Sequence, residues 1–311
     1  MYQIKPNKFS LLIVLVLLVA EPLLCQNQVM VLDGDFDYTE IPHASDYDNS
    51  QLTIEFWFKK DNDFIEDTPG QIDMEGLIYK GYTTSADRHF NFGIKQNSAP
   101  FFLNFSVSNG GTVFQLNSES IIQAFEWYHV AGVIDEQSIS LYINGILQGS
   151  AEISGSVNYV SAPIVIGKVS SESYANRHYH GHIDDIRLWN EARSESEILD
   201  YLGSPLQGDE ENLVGYWTFD DATAIDLTSH MNDGLMYDDT HTSVDIYSWM
   251  CSSIGDVSGD GQVNISDILH TVNIILSNPT ISSNRFCADI NGDSALDVSD
   301  LVQLVELVLG N

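Results

Sequence analysis

Between Val29 and Tyr247 the apolar residues recur at every second position in short runs, not at every third or fourth. In Ile54-Glu55-Phe56-Trp57-Phe58, residues 54, 56 and 58 fall on one face of an extended chain. Ile139, Leu141 and Ile143 alternate in the same way and run into Asn144-Gly145, two residues that tolerate the positive φ of a tight hairpin turn. Further runs at Phe101–Val107, Trp127–Val133, Pro163–Gly167, Ile183–Trp189 and Leu213–Phe219 lie among turn-forming residues. Strands at this density, without helices between them, predict a mainly β chain folded as an antiparallel sandwich or jelly roll. One short helix is expected at Ser194–Leu202, where Ser194 and Glu197 have the spacing of a capping box.

The period changes near the C-terminus. Ile265, Ile268, Leu269, Val272, Ile275 and Leu276 form a helical stripe, which repeats 33 residues later as Val298, Leu301, Val302, Val305, Val308 and Leu309. Two such stripes are expected to bury each other in a small helical unit of about 60 residues, too small to rely on its core alone. Each helix follows a twelve-residue loop with side-chain oxygens at positions 1, 3, 5, 9 and 12. The first loop offers Asp256, Ser258, Asp260, Asn264 and Asp267, with Gly261 at the sharp turn. The second offers Asp289, Asn291, Asp293, Asp297 and Asp300, with Ser294 at the turn. This spacing converges hard oxygen donors on one calcium ion per loop. The plain alternative is two Asp-rich turns that cap helices.

Charge narrows the partners. The 311 residues carry 45 acidic and 12 basic side chains, a net charge of −33. Nucleic acid and anionic membrane surfaces are bound through excess Lys and Arg, so both are excluded as partners. Within residues 251–311 the one base is Arg285, and seven of the eight acids occupy calcium-loop positions. Elsewhere the surplus is spread thinly and suits solubility in a salty exterior.

The N-terminus predicts export. Lys5 and Lys8 precede an apolar run from Leu11 to Ala20, followed by Glu21-Pro22 and Cys25, the layout of a signal peptide over residues 1–25. The run is shorter than the ~20 residues a bilayer span requires, so no transmembrane segment is expected in the mature chain. Cleavage near Cys25 is the expectation, with a lipidated Cys25 as the alternative. Cys251 and Cys287 each precede a calcium loop in a compartment where disulfides persist, and a quasi-twofold pairing would join them. Two buried free thiols are the alternative.

Several motifs together resemble a known family. They are Leu32-Asp33-Gly34-Asp35-Phe36-Asp37-Tyr38, Leu52-Thr53-Ile54-Glu55-Phe56-Trp57, Trp127-Tyr128-His129-Val130-Ala131-Gly132, Gly181-His182-Ile183-Asp184-Asp185 and Gly215-Tyr216-Trp217-Thr218-Phe219. In this order they resemble the laminin-G-like or pentraxin-like jelly roll of the concanavalin A type, here over residues 26–247. The resemblance implies two packed sheets, a carbohydrate or extracellular protein ligand, and often one structural calcium. Asp33 and Asp184 match the positions at which family members hold that calcium. Otherwise Asp33 makes a turn with Gly34, and Asp184 sits at a bulge and pairs with Arg187. Residues 251–311 resemble a type I dockerin, whose partner is a cohesin domain. Carried over by position, the dockerin pattern adds the carbonyls of Gln262 and Ala295 as ligands and gives Asn264 and Asp297 water-mediated roles. Ile265-Ser266 and Val298-Ser299 replace the hydroxyl pairs of many relatives.

Two segments imitate catalytic or metal chemistry. Gln71-Ile72-Asp73-Met74-Glu75 resembles the acidic strand of jelly-roll glucanases, but Gln71 stands where a carboxylate nucleophile is required. An exposed acidic edge is the expectation for it. His178, His180 and His182 alternate on one strand face, yet neighbours on that face are roughly 7 Å apart and chelate poorly. Tyr179 and Ile183 are expected to face the core. Exposed aromatics such as Tyr82, Tyr174 and Trp249 suit sugar stacking, but aromatics also fill sandwich cores. The chain therefore reads as a secreted, non-catalytic binding protein with a calcium-dependent tail for attachment. A polysaccharide hydrolase and a structural surface-layer or adhesion protein are the alternatives.

Overall fold

A computed structural model describes residues 27–61, 74–82, 87–95, 101–169, 178–202, 205–244, 254–257, 262–277, 285–291 and 296–310. The signal segment with Cys25, and Gln71, Ile72, Asp73, Tyr174, Trp249, Cys251, Ser258, Asp260, Asp293 and Ala295, lie outside the described residues.

Two antiparallel sheets face each other. The first runs in the order β10 (Ile146–Glu152), β9 (Ser138–Ile143), β8 (Trp127–Asp135), β3 (Gln51–Lys60), β12 (His180–Trp189), β1 (Gln28–Asp33) and β15 (His241–Val244). β13 (Leu213–Trp217) pairs with the distal half of β12, beyond β1. The second sheet runs β14 (Leu235–Tyr237), β2 (Tyr38–Ile41), β11 (Ile164–Ile166), β4 (Met74–Gly81), β5 (Arg88–Lys95), β6 (Phe102–Ser108) and β7 (Val113–Asn117).

The alternation in the sequence becomes the division between core and outer face. Ile54, Phe56 and Phe58 point between the sheets, where Phe56 meets the edge of Phe92 and Phe92 stacks on Phe105 with ring centroids 4.6 Å apart. Gly132, beside Ile54 in register, is required there, because a Cβ would come within 2.3 Å of the Phe92 ring. The β9–β10 turn is the expected Asn144-Gly145, with φ of 49° and 75°. Thr53, Glu55 and Trp57 face outward from β3, yet all three are buried. Trp57 packs with Val29, Trp127 and Leu202 beneath α1 (Glu195–Leu202), which therefore roofs part of the first sheet. The capping box is present: Glu197 N–H donates to Ser194 Oγ at 3.4 Å, and Ser194 N–H donates to Glu197 Oε2 at 2.7 Å.

The tail has α2 (Ile265–Ser277), α3 (Arg285–Ala288) and α4 (Val298–Gly310). Its core is Val257, Cys287, Ala288 and Leu304, with Ile268, Ile274, Ile290 and Val308 packed against it. The expectation that the two stripes bury each other holds only in part. Ile265, Leu269 and Leu276 remain exposed, and so do their counterparts Val298, Val302 and Leu309. Each stripe is wider than the face its partner covers.

Candidate functional sites

The loop residues of the tail are organised around the helix starts. Asn264 stands just before α2 and accepts the Ser266 N–H at 2.7 Å, while Asp267 reaches back to accept the Asn264 N–H at 2.7 Å. Asp297 and Asp300 repeat this arrangement at α4, accepting from Ser299 and Asp297 at 2.6 and 3.0 Å. Asp300 also accepts the Ile290 N–H at 3.0 Å, which draws the start of the second loop onto its end. Capping and ligation are compatible, because each carboxylate oxygen has two acceptor directions. Asp267 and Asp300 are fully buried, Asp256 nearly so, and the described donors of both loops are all oxygen. That set fits a hard divalent cation. Gln262 lies within the first loop and Asp289 opens the second, and Cys287 is buried two residues before it.

In the sandwich the structure separates the two acids that the resemblance brought together. Asp33 lies opposite His180 in the β1–β12 register, and Asp184 is four residues further along β12, about 13 Å away at ~3.3 Å per residue. Asp33 caps a turn, its Oδ1 accepting the Asp35 N–H at 2.8 Å, with Gly34 at a φ of 87°. Asp184 is buried with Asp185 and near Asp220, and its Oδ2 accepts from Asn27 Nδ2 at 3.2 Å. Burial, and then the charge of Asp185, push the Asp184 carboxyl well above the ordinary carboxylate range. Its Oδ1 is buried without a hydrogen-bond partner. The expected partner of Arg187 is also corrected. Arg187 pairs with Asp185 at 2.8 Å, because the β-bulge between Asp184 and Arg187 turns Asp185, at a φ of 53°, toward the guanidinium.

Neither imitating segment forms a reactive site among the described residues. Glu75 is not on an exposed edge. It sits on an inner strand, and both its oxygens accept from Lys60 Nζ at 2.8 Å, a buried ion pair between the two sheets. Tyr179 and Ile183 face the core as expected. The histidines disperse: His178 lies against Phe36, and His182 Nδ1 is 3.0 Å from Asp61 Oδ1.

Three features were not anticipated. Beneath α1, Glu55 lies 3.3 Å from His129 and 3.5 Å from Arg193, whose guanidinium stacks 3.7 Å over Trp189. These side chains are buried, so the network anchors the roof and has no access to solutes. The second feature is a rim cleft of about 310 Å³ lined by Ser50, Glu136, Gln137, Ser156 and Tyr159. Tyr159 is 43% exposed there, with its ring edge-on to His89. The third is a grouping of Asp33 with Asp37 and Asp239. Asp37 lies in the motif already quoted, but Asp239 is some two hundred residues away and gives no local signal. Among the described residues no helix is long and apolar enough to cross a membrane.

Comparison with known proteins gives two family matches. Residues 33–199 match the model of the concanavalin A-like lectin/glucanases superfamily, and residues 254–309 match that of the dockerin type I domain. Pappalysin-1 of Mus musculus is 23% identical over 156 residues, and that of Homo sapiens 24% over the same length. Each match covers 48% of this chain but 9% of the relative, so the similarity concerns a small part of those proteins. A candidate carbohydrate-binding protein from Bacteroides ovatus ATCC 8483 superposes with a TM-score of 0.52 at 14% identity, covering 70% of this chain and 62% of that one. A pentraxin from Limulus polyphemus gives 0.49 at 17% identity, covering 73% and 98%.

Proposed function

Because the chain belongs to the concanavalin A-like lectin/glucanases superfamily, we propose that it is an exported, non-catalytic protein that binds a carbohydrate through its sandwich and attaches through its tail. The observation that carries the non-catalytic reading is Glu75. Within the glucanase-like segment it is the one carboxylate among the described residues, and Lys60 occupies both its oxygens inside the sandwich. A carboxylate sealed between the two sheets, with both oxygens on Lys60, lies away from any surface a polysaccharide reaches, and the second carboxyl group that hydrolysis needs is not beside it among the described residues.

The rim cleft suits a sugar unit. Tyr159 offers an aromatic face for the C–H side of a pyranose ring, and Ser50, Gln137 and Glu136 supply hydroxyl, amide and carboxylate partners. In the tail, Asp256, Ser258, Asp260, Gln262, Asn264 and Asp267 hold one calcium, and Asp289, Asn291, Asp293, Ala295, Asp297 and Asp300 hold the other. We assign the sandwich calcium implied by the family to the Asp184 end of the pair that the resemblance nominated, with Asp220 and Asn27 beside it. Cys251 and Cys287 form the disulfide that fixes the tail. The match to a dockerin implies a cohesin-like partner. The exposed residues Ile265, Leu269, Val298 and Val302 are related by the 33-residue repeat and give the tail two equivalent apolar contact faces.

The test is a polysaccharide pull-down and glycan array of residues 26–311, with calcium and with chelator. Retention on a glycan without release of soluble sugar supports the proposal. Turnover of the polysaccharide rejects it.

A further inference from the structure

The rim cleft is held from behind by one buried cation. Lys80, on β4, is fully buried, and its ammonium donates to the carbonyl oxygens of Val160 at 3.0 Å and Ala162 at 2.7 Å. Its third neighbour is His43 Nδ1, at 3.1 Å. An ammonium has three N–H bonds, so these three acceptors match it in full, and His43 must then carry its own proton on Nε2. That nitrogen faces Asp48 Oδ2 at 3.6 Å. Asp48 stands two residues before Ser50, whose carbonyl accepts the Glu136 N–H at 3.0 Å. The run from Asp48 through His43 to Lys80 therefore connects the two walls of the cleft, one bearing Ser50 and Glu136 and the other bearing Tyr159.

Tyr159 sits between two anchors. On one side the Asn158 N–H donates to the Ser108 carbonyl at 2.8 Å, and on the other Lys80 holds Val160. His89 backs the ring edge-on, with 5.5 Å between centroids. Among the described residues the titratable groups around the ammonium are His43, Tyr47, Asp48 and His89, and β11, which sets Ile164 beside Lys80, adds none. Burial pushes the Lys80 ammonium down to about 8, against the pull of Asp48. Above that pH the neutral amine has two N–H bonds for three acceptors. Either a carbonyl of the Tyr159 segment loses its donor, or His43 is released, or His43 moves its proton to Nδ1 and turns a lone pair toward Asp48. Each alternative loosens the tie between the walls.

Resting on the reading of this cleft as the sugar site, we propose that Lys80 is its positioning residue: the charged ammonium fixes the Tyr159 segment relative to the Ser50 wall and so sets the aromatic platform for a pyranose ring. Lys80 is fully buried behind the cleft, touches no solute, and acts through the backbone of Val160 and Ala162. The clamp is complete while the ammonium is charged, below its titration, and is lost as pH rises through it. Glycan retention follows the same direction, because a platform that shifts relative to Ser50, Glu136 and Gln137 no longer presents stacking and polar contacts together.

The experiment labels the carbonyl carbons of valine and alanine in residues 26–311 and follows Val160 and Ala162 by carbon NMR in calcium, from about pH 6.5 to about pH 9.5. Val160→Ile and Ala162→Gly assign the two signals. In the wild type both should move together with one midpoint near pH 8, and Asp48→Asn should lower that midpoint, because the carboxylate supports the charge. Lys80→Met should show no step, and if it fails to fold, the midpoint in Asp48→Asn decides. In the same pH series, each polysaccharide retained in the pull-down at neutral pH should lose affinity about tenfold across the step, the loss of one hydrogen bond to a charged donor. Carbonyl signals that stay still in folded wild type, or a midpoint unmoved by Asp48→Asn, overturn the proposal. So does retention that holds constant through the carbonyl step. Retention on no glycan at any pH refutes the carbohydrate reading, and the carbonyl signals then decide the clamp alone.

Discussion

Replacing Glu75 by Gln removes one charge from a pair that the fold has sealed between its two sheets. Lys60 is fully buried and Glu75 is 4% exposed, and the ammonium touches both carboxylate oxygens at 2.8 Å. The ammonium also lies 5.7 Å from the centroid of the Phe101 ring. The amide retains the shape but leaves the ammonium without a counter-charge, which costs about 3–5 kcal/mol in comparable buried pairs. For a domain of this size that lowers the melting temperature by roughly 10 °C. Differential scanning calorimetry in calcium reads the sandwich transition directly. Changing both residues together, Lys60→Met with Glu75→Leu, should recover most of the loss, because an apolar pair of similar volume needs no compensation. A loss below about 1 kcal/mol for Glu75→Gln would show that water reaches the pair, and the case against Glu75 as a catalytic acid would fall with it.

Three further outcomes are expected. Chelation should abolish the helical circular dichroism of α2 and α4 while leaving the sandwich folded. At calcium about a thousand-fold above its dissociation constant each tail site contributes about 4 kcal/mol, which Asp267→Ala should forfeit at the first loop. Burial pushes the His89 imidazole down to about 3, so below pH ~6.5 the unfolded chain takes up a proton that the folded chain refuses. Stability should fall as pH drops from about 6.5 toward 3, by up to ~1.4 kcal/mol per unit, and urea midpoints of His89→Gln should show a flatter profile. Leu269→Asp with Val302→Asp, both on exposed apolar positions, should change stability by under ~0.5 kcal/mol per site yet abolish binding to a cohesin-type partner in surface plasmon resonance.

The sandwich was legible because its strands alternate. Ile54, Phe56 and Phe58 state their inward face in five residues, and Asn144-Gly145 states its turn in two. The tail was legible for a different reason: a duplicated spacing of oxygen-bearing residues points to a shared ligand geometry. Contacts set by register were not legible. Asp33 and Asp184 sit in motifs that occur together, yet pairing of β1 with β12 holds them four residues apart, and Asp33 meets Asp37 and Asp239 instead. The sequence does not distinguish Asp184 from Asp185 as the partner of Arg187, because the local bulge rotates Asp185 into place. Glu75 reads as a surface acid in sequence because its partner Lys60 belongs to the opposite sheet. Both helix stripes stay partly exposed because periodicity gives the direction of an apolar face but not the width that a partner covers.

The most direct test of the account is the glycan array and polysaccharide pull-down of residues 26–311, with released reducing sugar measured in the same samples. The account predicts retention on at least one carbohydrate class in calcium, loss of retention on Tyr159→Ala, and no sugar release above buffer. Release of sugar by the wild-type chain, or retention on no carbohydrate at all, would contradict it.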